Sequence, residues 1–139
     1  MKTILLIEDN ADILENFTEY LEMEGYTVLL AKNGKTGIEL AEKFLPDLII
    51  CDVLMPEMDG RIVLSRLKEK FAVSKIPFIF SSSLSEKFDK EAAIKLGAND
   101  YMLKPFSFEV LLKATKECLK RKIISKRSNA NLFTVPLLK

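Results

Sequence analysis

Five short apolar runs, each bounded by charged or turn-forming residues, recur along this chain of 139 residues. They are Thr3–Ile7, Tyr26–Leu30, Leu48–Cys51, Phe78–Ser81 and Tyr101–Leu103. Between them the apolar residues fall at helical spacing instead. In the first such segment Ile13, Leu14, Phe17 and Leu21 form one stripe, and Gly25 stands where a left-handed C-cap belongs. The second, Gly34 to Phe44, sets Ile38, Leu40 and Ala41 among charges and stops before Pro46. The third follows Asp59-Gly60, with Ile62, Val63, Leu67 and Phe71 recurring, and the fourth is marked by Ala92, Ala93 and Leu96 and closed by Gly97. Ser107 is placed to cap a fifth helix, with Glu109 in the first turn, where the helix dipole favours an anion.

Strands that are almost continuously apolar and alternate with helices specify a parallel sheet covered on both faces. Right-handed crossovers then give an open, doubly wound α/β domain. After about residue 124 the pattern decays into a polar run, Ser125 to Asn131, followed by an apolar Leu132–Leu138. That stretch is too short for a second domain. The expected organisation is one domain over residues 1–124 and a tail or truncated linker over 125–139, with no effector domain.

In an open parallel α/β sheet, ligands bind beyond the carboxyl ends of the strands. Here those ends carry chemistry. The first strand ends in Glu8-Asp9, the third in Asp52, the fourth in Ser81-Ser82-Ser83 and the fifth in Lys104-Pro105. The second, expected at the sheet edge, ends only in Ala31-Lys32-Asn33. Any one of these residues has an ordinary explanation, but three carboxylates, a hydroxyl and a lysine converging from four strands are harder to dismiss.

The composition narrows the reaction. There is no histidine, which excludes a Ser-His-Asp triad, a Cys-His pair, His-ligated zinc and a phosphohistidine carrier. Cys51 and Cys118 have no metal-binding spacing and lie in apolar runs, as reduced structural cysteines do. Crowded carboxylates repel and need a cation to stay ionised. Oxygen ligands without imidazole or thiolate point to Mg²⁺ or Mn²⁺. A hard metal beside a carboxylate and a lysine suits phosphoryl transfer, with a carboxylate as nucleophile.

The same residues carry a resemblance covering about residues 2–124. Ile7-Glu8-Asp9-Asn10, Asp52-Val53-Leu54-Met55-Pro56-Glu57-Met58-Asp59-Gly60, Ser82-Ser83 after Ile76-Pro77, and Tyr101-Met102-Leu103-Lys104-Pro105-Phe106 resemble the motifs of a two-component response-regulator receiver domain, in family order and spacing. The resemblance implies a flavodoxin-like (βα)5 fold with strand order 2-1-3-4-5. It implies that Asp52 accepts a phosphoryl group from a partner's phosphohistidine. Asp9, Asp52 and the Leu54 carbonyl would bind Mg²⁺, with Glu8 acting mainly through water, and Lys104 would pair with the phosphoryl group. Ser82, usually threonine in the family, would bond a phosphoryl oxygen, and Tyr101 would swing inward in response. Ser83 and Leu54 flank the site, and Lys104-Pro105 matches a cis peptide of the family.

The implied partners are a sensor histidine kinase or histidine phosphotransfer protein, and a downstream protein bound through the helix 4–strand 5–helix 5 face. A homodimer is a further possibility. The implied module is not an enzyme acting on external substrates, and is expected in the cytoplasm. Its apolar N-terminal run is four residues long, too short for a secretory signal of about 7–15. No window approaches the roughly 18 apolar residues of a membrane span.

Other readings fit less well. A haloacid-dehalogenase-like phosphatase wants a second aspartate where Leu54 stands, and a flavodoxin-like electron carrier wants a phosphate loop where Glu8-Asp9-Asn10 stands. Residues 104–139 hold nine Lys and Arg against two Asp and Glu, a balance that suits a solvated helix face or an acidic partner. No helix-turn-helix accompanies it, so DNA binding is not expected. Asp12, Glu15, Glu19 and Glu22 form an acidic stripe, read as a solvent face or a docking face for a kinase or phosphotransfer helix.

Overall fold

A computed structural model describes residues 1–83 and 88–120. The tail expected over 125–139, its boundary at residue 124 and its apolar Leu132–Leu138 lie outside the described residues. Five strands, β1 (Thr3–Ile7), β2 (Thr27–Ala31), β3 (Leu48–Asp52), β4 (Phe78–Ser82) and β5 (Asp100–Leu103), form one sheet in the order β2-β1-β3-β4-β5. Every neighbouring pair is parallel. Four helices, α1 (Ala11–Met23), α2 (Gly34–Phe44), α3 (Gly60–Lys68) and α4 (Lys90–Lys95), alternate with the strands. A fifth, α5, runs through residues 108–120.

The sheet divides the apolar residues between two cores because successive strand side chains point to opposite faces. Leu5, Ile7, Ile49, Cys51, Phe78 and Phe80 pack against α2, α3 and α4 through Ala41, Val63, Leu64, Leu67 and Ala93. Their neighbours Ile4, Leu6, Leu48, Ile50, Ile79 and Met102 pack on the other face against Leu14 and Leu21 of α1 and Leu111, Ala114 and Cys118 of α5. Burial on both faces makes the inner strands read as unbroken apolar runs.

The edge strand departs from that rule. Thr27 and Leu30 of β2 are exposed, and the strand runs one residue later than the apolar run Tyr26–Leu30. With only part of it buried, hydrophobicity alone does not set its ends; pairing does, through Thr3 opposite Thr27 and Ile7 opposite Ala31. The stripe expected in the third helix also ends early. Phe71 lies beyond α3 in a turn and is 89% exposed, because the chain leaves helical periodicity after Lys68. Leu96 stands at the C-cap of the short α4 and is exposed too.

Local signals set the helix starts. Asn10, Asn33, Asp59 and Asp89 each accept a backbone N–H from the first turn that follows, and Ser107 Oγ accepts from Val110 N at 3.2 Å. Gly25 has φ +93, as a left-handed exit from α1 requires. Helix α2 ends differently, on Leu45 at φ 48 and half-exposed, with its N–H on the Ala41 carbonyl. A side chain with a Cβ is strained there, by about 1 kcal/mol. Leu45→Gly therefore should raise the free energy of unfolding, by about 0.5 kcal/mol after the added unfolded-state entropy. Urea denaturation measures it, and a lower midpoint would show that packing of the leucine outweighs the strain.

Candidate functional site

Parallel register brings the loaded strand ends to one level. Ile7 lies opposite Cys51, Asp52 opposite Ser81 and Ser82 opposite Leu103, so Glu8, Asp52, Ser82 and Lys104 share the same edge of the sheet. Glu8 is buried, its N–H tied to the Ala31 carbonyl at 3.0 Å. Its Oε2 accepts from Asn10 N at 3.2 Å, while the Asn10 side chain caps α1. The acidic pair is thus fixed where strand turns into helix. Asp9 faces solvent, yet one oxygen from each of Glu8, Asp9 and Asp52 lies within 4.8 Å of the others.

Lys104 enters from the end of β5. Its N–H donates to the Ser82 carbonyl at 2.6 Å, and the Lys104-Pro105 peptide that follows is cis. Its Nζ lies 2.7 Å from Glu8 Oε1 and 3.3 Å from Asp52 Oδ1. Sequence reasoning gave Glu8 to water-mediated metal contact; here it is also the lysine's nearer partner.

Burial and neighbouring charges set the electrostatics together. Burial, then the Glu8 carboxylate, push the Asp52 carboxyl up to about 7 against the opposing pull of Lys104. Burial draws the Lys104 ammonium the other way, but its hydrogen bond to Glu8 and the charges of Glu8 and Asp52 prevail and raise it. Three carboxylates against one ammonium leave an excess of negative charge in a site of oxygen donors only. That donor set fits a hard divalent cation of the Mg²⁺ kind. Cys51, next to Asp52, is not a reactive group: burial and the neighbouring carboxylates push its thiol well up, and it donates to the Asp52 carbonyl at 3.2 Å.

The loop after Asp52 is closely held. Gly60 N donates to the Val53 carbonyl at 2.7 Å, and a Cβ at Gly60 would run into the Asp52 carbonyl oxygen. Asp59-Gly60 is thus more than the helix start that sequence reasoning gave it: its glycine lets α3 begin directly on the backbone of Asp52. Glu57 turns the loop at φ 68, with Met58 N on the Pro56 carbonyl at 2.7 Å. Leu54 and Pro105 are exposed on either side.

Ser82 is fully buried and its Oγ makes a long contact, 3.4 Å, to the Ser83 carbonyl; Ser83 is half-buried. Tyr101 is half-buried, and its hydroxyl donates to the Phe88 carbonyl at 2.8 Å. The structure thus gathers Glu8, Asp9, Asp52 and Lys104 by direct distance, aligns Ser82 by register, and directs Tyr101 to Phe88. Sequence reasoning missed Phe88 and Arg61, which sits over the Phe88 ring at 5.6 Å. No local pattern joins residues so far apart in the chain.

The pattern of the response regulator receiver domain matches residues 4–116. The chain belongs to that family. Over 128 residues it is 35% identical to the alkaline phosphatase synthesis transcriptional regulatory protein PhoP of Bacillus subtilis, covering 92% of this chain and 52% of that one. Over 134 residues it is 37% identical to histidine kinase P4 of Formosa agariphila, covering 95% of this chain but 10% of that one. The chain therefore spans about half the length of the first relative and a small part of the second. Among solved structures, the signal receiver domain of a signal transduction histidine kinase from Syntrophus aciditrophicus matches at TM-score 0.79 and 35% identity, over 86% of this chain and 91% of that one. A receiver domain protein from Clostridium thermocellum matches at TM-score 0.83 and 27% identity, over 89% and 98%. The expected doubly wound sheet, order 2-1-3-4-5, is therefore that of a receiver domain. Such domains are phosphoryl-accepting signalling modules that bind Mg²⁺ at an acidic pocket. Among the described residues no helix is long and apolar enough to cross a membrane.

Burial of Asp52 has a consequence for stability. Its folded pKa lies above the ordinary carboxylate value, so the metal-free receiver domain binds the proton more tightly than the unfolded chain does. Below about pH 4 both states are protonated and there is no cost. As pH rises toward 7 the cost grows, then stays constant. Asp52→Asn should therefore stabilise the metal-free protein at pH 8, by about 1–3 kcal/mol, and change little at pH 4. Thermal melts at the two pH values check this; equal effects at both would place the burden elsewhere than on the Asp52 charge.

Proposed function

We propose that this receiver domain is a phosphorylation-controlled signalling module of a histidine-to-aspartate relay, with Asp52 as its phosphoacceptor. The observation that carries the reading is the Glu8–Lys104–Asp52 cluster: an acceptor carboxylate desolvated at a strand end, beside a fixed ammonium and two further carboxylates. An Asp52 oxygen attacks the phosphorus of the donor; the new O–P bond forms as the N–P bond to the partner's imidazole breaks, and the imidazole leaves with its electron pair. The chain has no histidine of its own, so the donor is a sensor histidine kinase or a histidine phosphotransfer protein.

Glu8, Asp9, Asp52 and the Leu54 carbonyl would hold Mg²⁺, or Mn²⁺ in its place, and that ion would neutralise phosphoryl oxygens during transfer. Lys104 holds a compact positive charge at the Asp52 oxygen and keeps that carboxylate oriented before transfer. Ser82 offers a hydroxyl from the neighbouring strand, and Tyr101 reports its movement to the surface. Ser83 and Pro105 shape the walls. The domain processes only its own phosphoryl group and turns over no external substrate.

Output would pass to a downstream protein, or a second copy, through α4, β5 and α5, where Ile94, Leu96 and Leu103 expose apolar side chains. The two cysteines are free and buried, and the relay chemistry suits the cytoplasm. A second reading, a receiver segment of a longer regulator or hybrid kinase, is favoured by the short share of its relatives that the chain covers. Residues 1–124 would then be the receiver and 125–139 a linker or tail.

Intact mass spectrometry after incubation with acetyl phosphate and Mg²⁺ should show one phosphoryl adduct, labile in base and absent without the metal. Asp52→Ala should take up none. Uptake by that variant, or none by the wild type with acetyl phosphate or any kinase, would refute the assignment. Lys104→Ala should retain Mg²⁺ binding but lose the conformational response on phosphorylation. Magnetic-resonance spectra that change alike in both proteins would remove Lys104 from the switch.

A further inference from the structure

The Asp52 loop and Tyr101 are joined by a second chain of contacts that avoids Ser82. Gly60 at the start of α3 is bonded to Val53, the residue after Asp52. One residue on, the Arg61 guanidinium grips the Asp59 carboxylate, with one nitrogen at 2.9 Å and Nε at 3.4 Å, while the same carboxylate caps α3. The guanidinium also lies over the Phe88 ring, 5.6 Å from its centre. Phe88 is buried, with its ring edge-on to Phe80 at 5.0 Å and to Tyr101 at 6.2 Å. Its carbonyl accepts the Tyr101 hydroxyl at 2.8 Å, and the next residue, Asp89, caps α4.

We propose that Arg61 is a positioning residue that transmits the state of the Asp52 loop to Tyr101 and α4 through Phe88, by a route separate from the Ser82 hydroxyl. This rests on the phosphoacceptor reading above. Arginine suits the task because a planar fork can hold a carboxylate at its edge while its face lies on an aromatic ring. Lysine can keep the ring contact but not the fork. When the loop beyond Asp52 shifts, Asp59 and Arg61 shift with it, and Phe88 loses or gains its cationic cover. The carbonyl that holds Tyr101 belongs to that same residue.

Three tyrosines and no tryptophan make the readout simple. The full chain is labelled with 3-fluorotyrosine, and the Tyr101 fluorine signal is identified by its loss in Tyr101→Phe. Wild type, Ser82→Ala, Arg61→Met and the double variant are treated with acetyl phosphate and Mg²⁺, and adduct formation is measured by mass in the same samples. Ser82→Ala should weaken the Tyr101 response but leave a remainder. Arg61→Met should shift the resting balance between Tyr101 environments by about 2- to 5-fold and abolish that remainder in the double variant. Phe88→Leu should reproduce Arg61→Met, and Arg61→Lys should fall between Arg61→Met and wild type.

The proposal is overturned if Ser82→Ala alone abolishes the response while the adduct forms. It is equally overturned if Arg61→Met and Phe88→Leu leave resting and residual signals unchanged, or if Arg61→Lys behaves as wild type. Absence of an adduct in every protein, wild type included, would instead overturn the phosphoacceptor reading, and this route with it.

Discussion

Two carboxylates at adjoining strand ends cannot both stay ionised out of water without a positive charge between them. In this fold the charge comes from Lys104, 96 residues along the chain from Glu8. Its Nζ reaches both Glu8 and Asp52 from the far side of β4. Burial, and then the Glu8 carboxylate, outweigh the pull of that one ammonium and hold Asp52 near neutrality. A carboxyl partly relieved of its charge, and a set of oxygen donors that suits a cation, belong to the same crowded, buried site. A cation bound there would favour the ionised form of Asp52.

The sheet exists to hold those charges in register. β3 stands at its centre, so Asp52 is flanked by β1 on one side and β4 on the other. Its neighbours are therefore determined by backbone pairing instead of by flexible loops. The contacts beneath it leave little room: Cys51 donates to its carbonyl, and Gly60 approaches that carbonyl too closely to admit a side chain. A larger residue at position 60 would move α3 away from the site, and Asp59 and Arg61 with it.

Much of this was legible in the sequence, for a physical reason. Inner strands buried on both faces must be apolar throughout, so β1, β3 and β4 show themselves as runs. Asp59 and Ser107 marked helix starts because orphan N–H groups demand an acceptor at a fixed offset, while the caps at Asn10, Asn33 and Asp89 came from the structure. Glu8, Asp9, Asp52 and Lys104 were visible as polar residues at the ends of apolar strands. What hydrophobic pattern could not set was the half-exposed β2, whose limits come from pairing, or the fate of Phe71 and Leu96, which keep a helical spacing after their helices have ended. The Arg61–Phe88 contact was invisible for another reason. It joins the first turn of α3 to the residue just before the cap of α4, and nothing in either local sequence names the other.

On the proposed reading, the hydroxyls of Ser82 and Tyr101 would set the energy that a change of state requires. One contact of the Ser82 hydroxyl, to the Ser83 carbonyl at 3.4 Å, is near the limit of a hydrogen bond. A neutral bond of ordinary geometry contributes about 0.5–1.5 kcal/mol net, and one to a charged group about 1.5–3. A phosphoryl group on Asp52 would bring about −1.5 to −2 charge and three strong acceptors to the mouth of the site. On the proposed reading, such an acceptor would compete for the Ser82 hydroxyl. Tyr101 is the harder step, because its 2.8 Å bond to the Phe88 carbonyl is well formed and its ring lies beside Phe88. Threonine at position 82 would add a methyl group that pushes on whatever fills the space it leaves; serine adds none. On the proposed switch reading, the bond between Tyr101 and Phe88 would set the larger resistance, and the packing around Phe88 would tune it.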